Sequence, residues 1–274
     1  LKITGSGIII FERTIPGIKV TTKNFKMETK SDNQDIKKLK EDIDNEENVG
    51  KITMSIGRVA DRDMKLAEKL VNNLDMEKLR DKIDAEEDIK EIAWCVEEIA
   101  YACEGYAGGI FYGGGWFVEN LVRNMDIGKL KVKIDAEEDI KTIGMCIGAI
   151  FEGDGEVAKK LSNSLDPEKL KDKIDAEEDI GKIGGFLWKI GFGSDEVAEK
   201  LVRSMNAEKL RKKIEKEKDA EKIKLFVVAI HRYGSYELAS KLTTQLDPEK
   251  AKTPEVKEFI INLKNQYQNQ KSKK

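Results

Sequence analysis

His231 is the single histidine in a chain of 274 residues, and it limits what chemistry can be built here. A multi-histidine zinc site, a Ser-His-Asp triad or a Cys-His pair would all have to use that one imidazole. Its place after Ile230, at the end of a predicted helix, fits a cation beside the helix C-terminus instead. Cys95, Cys103 and Cys146 form no CxxC pair and no even-numbered framework, which argues against disulfides and for a reducing, cytoplasmic location. Cys95 and Cys146 occupy one slot of two repeated segments and read as small buried hydrophobes. Acidic clusters recur at Glu86-Glu87-Asp88, Glu137-Glu138-Asp139 and Glu177-Glu178-Asp179. No twelve-residue stretch there offers the central glycine and terminal glutamate of a calcium loop, and nothing selects one carboxylate pair for hydrolysis. They read as first-turn acids complementing helix dipoles, or as an acidic ridge open to a basic partner.

Two glycine-rich stretches invite a phosphate-loop reading and fail it. After Gly5-Ser6-Gly7, Ile10 stands where a dinucleotide fingerprint needs glycine. After Gly113-Gly114-Gly115 come Trp116-Phe117, where a P-loop needs Lys and Ser or Thr. No catalytic, cofactor-binding or metal-ligating residue is therefore expected, and the chain reads as a non-enzyme without cofactor. What remains is chemistry for binding. Tyr101 to Trp116 interrupts the pattern of its neighbours with a glycine-rich stretch, and Tyr101, Tyr106, Phe111, Tyr112 and Trp116 offer the aromatic contact area of an interface. The other reading is that Phe111 and Trp116 fold back to cover the array. A second polar slot, Asn73, Asn124, Ser164, Ser204 and Gln245, precedes the closing Leu or Met of successive segments.

The elements that must position these residues come from a repeat. Lys82-Ile83-Asp84-Ala85-Glu86-Glu87-Asp88-Ile89 returns almost unchanged at 133–140 and 173–180, and the matches extend to five units: 35–74, 75–125, 126–165, 166–205 and 206–246. A period near forty residues marks a stacked array in which neighbours supply each other's core. Each unit reads as three helices. Asp166-Pro167-Glu168 starts a short first helix that ends near Ile174. Asp175 with Glu178 has the spacing of a capping box for the second, whose Ile180, Ile183, Leu187 and Ile190 form one apolar stripe. Gly191 and Gly193 are expected to stop it, and Ser194 to cap a third helix carrying Val197, Ala198, Leu201, Val202 and Met205 inward. The second helix of the second unit is expected to end at Ala100.

Three helices per unit at this period and core spacing resemble the armadillo and HEAT-like family of α-solenoids over about residues 35–268. The resemblance is architectural. The usual glycine between the first two armadillo helices is replaced here by Asp-Ala-Glu-Glu, and Gly144, Gly148, Gly184 and Gly185 lie within second helices, weakening them but allowing close approach. Armadillo proteins hold extended peptides with asparagines on their third helices, so the resemblance implies a peptide-binding role for Asn73 and Asn124. A merely solvated polar face is the alternative.

The fold class is accordingly all-α: a right-handed α-solenoid of about five three-helix repeats, with a C-terminal cap helix and a short N-terminal β-hairpin. Thr253-Pro254-Glu255 begins the cap, with Val256, Phe259, Ile260 and Leu263 on one stripe. Residues 1–26 form the β element, with Ile8 to Phe11 and Ile18 to Thr22 as strands around Pro16-Gly17. Residues 27–34 form a linker, 35–268 the solenoid and 269–274 a basic tail. Net charge is -3, with 37% charged and 39% hydrophobic residues. No overall basicity argues for nucleic acid or an anionic membrane, and the run Ile8 to Phe11 is too short to span one. The functional expectation is a protein- or peptide-binding or assembly scaffold. Two alternatives stand beside it: a subunit that self-assembles through residues 1–26, or the sensor domain of a longer protein, since the chain opens on Leu1 and an upstream segment is expected.

Overall fold

The computed structural model describes residues 32–104, 116–234 and 236–271. The expected β-hairpin lies outside these residues, as do Tyr106, Phe111 and Tyr112. Fifteen of the sixteen α-helices among the described residues follow the three-helix period. The first unit holds α1 (Asp32–Asn45), α2 (Val49–Ala60) and α3 (Met64–Asn73); the second holds α4 (Met76–Ala85), α5 (Ile89–Glu104) and α6 (Trp116–Asn124). The third holds α7 (Ile127–Ala136), α8 (Ile140–Gly153) and α9 (Gly155–Ser164); the fourth holds α10 (Pro167–Ala176), α11 (Ile180–Gly193) and α12 (Asp195–Ser204). The fifth holds α13 (Ala207–Lys216), α14 (Ala220–Tyr233) and α15 (Tyr236–Gln245), and α16 (Pro254–Lys271) follows a single 3-10 turn, Pro248–Lys250. No strand occurs among the described residues.

Packing follows chain order: α2 lies on α5, α5 on α8, α8 on α11 and α11 on α14, while third helices back the seconds. The apolar stripes supply the core. Ile180, Ile183, Leu187 and Ile190 are fully buried, as are Ala198, Leu201 and Val202 of the following helix. Glycine governs how closely the second helices approach. A Cβ on Gly184 would stand 2.8 Å from the Phe226 Cα, so α11 and α14 meet there backbone to backbone. Beside Gly185 a Cβ would meet nothing within 4 Å.

Several expected boundaries move, each for a local reason. The first helices run two residues beyond Ile174, to Ala176, so Asp175 sits in a last turn and no capping box forms with Glu178. The second helix is capped instead by Asp179, whose carboxylate accepts the amides of Gly181 and Lys182. The acidic clusters are therefore connectors, not first turns. Glu177 Oε1 accepts the amide of Asp179 at 2.8 Å, and the same bond recurs from Glu86 to Asp88, Glu137 to Asp139 and Glu217 to Asp219. Gly191 lies inside α11 because the Tyr233 ring fills the space a side chain would need. The helix α5 continues past Ala100 to Glu104, with Ala102 buried. At the ends, α1 begins within the expected linker and α16 passes the expected boundary at 268 to reach Lys271. As expected, Ser194 caps α12, and Thr253 Oγ1 accepts the Val256 amide at 3.2 Å to open α16. Val256 and Ile260 are buried, while Phe259 and Leu263 are half-buried against the core.

Lysines reach back from each unit to the one before it. The last turn of a first helix leaves carbonyls without intrahelical partners, and the next unit supplies an ammonium. Lys82 Nζ donates to Asp44 O at 2.8 Å and Glu46 O at 2.7 Å, Lys133 to Asp84 O at 2.8 Å, and Lys173 to Glu137 O at 2.6 Å. Lys213 donates to Asp175 O at 2.9 Å and to Glu177 O, and is buried. Burial pulls its pKa below the usual lysine value, with Glu178, Asp175 and Glu177 opposing that shift. The first unit has Asp42 in this slot. No helix among the described residues is long and apolar enough to cross a membrane.

Candidate functional site

The second helices bury one face and leave the other open, and that open face carries four of the seven exposed large apolar side chains among the described residues; the others, Trp116, Val132 and Ile261, stand on α6, α7 and α16. Phe151 of α8 is 40% exposed, Phe192 of α11 42%, and Leu225 and Val228 of α14 41% and 45%. The helices bearing them pack in succession. The Phe151 and Phe192 rings stack with centroids 5.4 Å apart across the α8–α11 contact. Trp188 lies 6.2 Å from Phe192 and meets Tyr233 of α14 edge-on at 5.7 Å. An aromatic row thus crosses three units, in the geometry rings prefer.

Cations lie over the row. The Arg232 guanidinium stands 5.4 Å from the centroids of both Trp188 and Tyr233, and Lys189 Nζ stands 5.9 Å from Phe192. Beneath them, Trp188 Nε1 and the Tyr233 hydroxyl are buried without a hydrogen-bond partner, an arrangement that costs stability. Burial raises the Tyr233 pKa, with Arg232 opposing. Glu152 is likewise pushed up by burial, with Lys189 opposing at 3.9 Å. On α5 the same face changes character: Trp94 Nε1 donates to Glu98 at 3.1 Å, and Glu97 and Tyr101 are half-buried beside it.

The residues singled out from sequence lie on three different elements. Tyr101 is half-buried in the last turn of α5. Trp116 opens α6 at 71% exposure, so it does not fold back over the helices described. Asn73 and Asn124 are exposed near the ends of α3 and α6, and each Nδ2 donates to its own helix, to Lys69 O and Asn120 O, both at 2.7 Å. Ser164 and Ser204 bond their own helices in the same way. The adjacent slot serves the array itself: Arg123 Nε donates to Asp154 at 2.5 Å, and Ser194 Oγ donates to Asn163 Oδ1 at 2.7 Å, joining successive third helices. Burial pushes the Asp154 carboxyl up, but the Val157 amide and Arg123 outweigh it and the net shift is downward.

The acidic connectors are occupied too. Lys222 pairs with Asp179 at 2.6 Å, and Lys182 with Glu177 at 3.2 Å and Asp139 at 3.4 Å. Cys95 and Cys146 are buried as expected, and burial lifts both thiols to about 12, which removes thiolate chemistry at neutral pH. His231 is exposed in the last turn of α14.

Phe151, Trp188, Phe192, Leu225 and Val228 were not singled out from sequence as surface residues. Their signal is there: each adds an apolar residue beside a stripe that already fills the buried face, as Trp188 does next to Leu187.

The sequence matches no protein-family model and no curated protein. Among solved structures, a computationally designed self-assembling cyclic homooligomer is 16% identical over 87% of this chain and 90% of its own, with a TM-score of 0.20. At that score the likeness carries no argument. The class of protein rests on the helices themselves: an all-α, helical-repeat-like chain.

Proposed function

We propose that this chain is a non-enzymatic protein-binding scaffold, a right-handed α-solenoid of five repeats that docks its partner on the open face of its second helices. The order of second-helix packing, the inter-unit lysines and the forty-residue period support the solenoid. One observation carries the choice of face: the Phe151–Phe192–Trp188 row, which crosses the boundary between the third and fourth units with Phe151 and Phe192 exposed and Trp188 half-buried, and which is followed by exposed Leu225 and Val228 on the next second helix. Isolated apolar side chains are ordinary on protein surfaces, whereas a contiguous aromatic row with cations above it has the composition of an interface centre. The third-helix slot is a weaker choice, since the Asn73 and Asn124 amides already donate to their own helices.

Single photo-crosslinking residues placed at Val228 and, separately, at Asn73 test this reading in extract of the source cell. The proposal expects discrete covalent products from Val228 and none from Asn73. Products from Asn73 alone would move the site to the third helices.

A further inference from the structure

The occupant of this face can be argued from the order of charge and size along it. Counted from the first residue of each helix, the sixth position holds Trp94 on α5, Met145 on α8, Gly185 on α11 and Leu225 on α14. Large meets large at the outer pair, and at the inner pair Met145 would meet Gly185, beside which a Cβ finds only open space. Toward the C-terminal ends, α5 and α8 carry Glu97, Glu98 and Glu152, while α11 and α14 carry Lys189 and Arg232. At the second position the order reverses: Lys90 on α5 and Glu221 on α14. Among these four helices the end charges change sign between α8 and α11, and the second position runs from Lys90 and Lys141 through Gly181 to Glu221; α2, with Arg58 near its end, lies outside the four.

From this we infer that the second-helix face binds a second copy of the chain, in a two-fold dimer whose axis runs parallel to the helices between α8 and α11. That rotation lays α5 on the partner's α14 and α8 on the partner's α11, with helices of the two copies running in the same direction. In that pairing Lys90 faces Glu221 and Trp94 faces Leu225, while Glu97 and Glu98, at the ninth and tenth positions, lie about one helical turn from Arg232 at the thirteenth, within reach of its long side chain. Near the axis, Glu152 and Lys189, only loosely paired within one copy at 3.9 Å, each gain the opposite charge of the other copy. Lys141 and Lys182 are also brought opposite each other, but Lys182 is already neutralised by Glu177 and Asp139.

The size of the face agrees. Helices of this length extend ~21 Å at 1.5 Å rise per residue, and four of them set ~8–10 Å apart give roughly 700–800 Å². A standard stable interface buries about 800 Å² per partner. Charge complementarity of this kind sets orientation and salt dependence. The inference rests on the proposed docking face but names its partner.

Sedimentation equilibrium of the full chain and two charge-reversed variants tests it. The native chain is expected to be a dimer that weakens as salt is raised. Glu97→Lys combined with Glu98→Lys, and separately Arg232→Glu, should each weaken self-association about tenfold or more, while circular dichroism stays unchanged. Mixing the two variants should restore dimers, because in the mixed pair both α5–α14 contacts again join opposite charges. A monomeric native chain, a dimer indifferent to both variants, or a mixture that stays monomeric would each overturn the inference. The docking reading is separable: it survives a monomer that still crosslinks another protein from Val228, and falls if Val228 crosslinks nothing.

Discussion

Alanine substituted at Gly184 and at its neighbour Gly185 should change stability in opposite directions. Both residues lie inside α11, where replacing glycine by alanine contributes about 1 kcal/mol through helix propensity alone. At Gly185 nothing opposes that gain, since no atom lies within 4 Å of the added carbon. At Gly184 the same carbon would stand 2.8 Å from the Phe226 Cα, 2.9 Å from its nitrogen and 3.2 Å from the Leu225 carbonyl carbon. Carbon atoms prefer ~3.5–4.0 Å, and these are backbone atoms that no rotamer change can move. The helices must part, at an overpacking cost of about 1–3 kcal/mol. Gly184→Ala should therefore fall below Gly185→Ala by that amount, from about neutral to about 2 kcal/mol less stable than native. Urea unfolding at constant m-value measures the difference, and hydrogen exchange of α11 and α14 amides localises it. An Arg232→Glu background keeps self-association out of the comparison. Equal stabilisation by both alanines would refute the close α11–α14 approach.

Lys213→Met keeps the aliphatic stem but removes the ammonium from the carbonyls of Asp175 and Glu177; a loss of about 1.5–3 kcal/mol is expected. Exchange should quicken at the α10–α13 junction while α1 to α3 stay native-like, and no measurable loss would make the lysine dispensable. Ile183→Ala, at a fully buried site, should cost about 2–5 kcal/mol and loosen the fourth unit before the first; uniform acceleration along the chain would contradict a stacked array. Glu152 has a pKa raised in the folded state, so its stabilising contribution is complete below its ordinary value of 4.5 and lost as pH rises through the folded value. In an Arg232→Glu background that keeps a second copy away, Glu152→Gln should accordingly be more stable than that background at neutral pH and show a flatter stability profile from there down toward pH 4.5; an unchanged profile would place the carboxylate in water.

The repeat made most of the helix plan legible. Ile180, Ile183, Leu187 and Ile190 carry a helical period that needs only one buried face to be read, and all four are buried. Helix boundaries were less legible, because Asp175 and Asp179 are both plausible caps and the choice depends on where α10 stops. Tertiary contact decided it: Lys213 of the next unit takes the Asp175 and Glu177 carbonyls, which stabilises the longer first helix. Gly191 reads as a helix stop until Tyr233, more than forty residues later, is seen to need its space. The docking face was hidden for the same reason. Phe151, Trp188 and Tyr233 are far apart in sequence, and only the register of the stacked helices brings their rings together.

Hydroxyl-radical footprinting compares the faces directly, by following side-chain oxidation as the chain goes from dilute solution to its bound state. The account predicts protection of Phe151, Trp188, Phe192 and Val228, with residues around Asn73 and Asn124 oxidised as before. Protection of the third-helix ends, with Phe192 and Val228 still fully reactive, would contradict it.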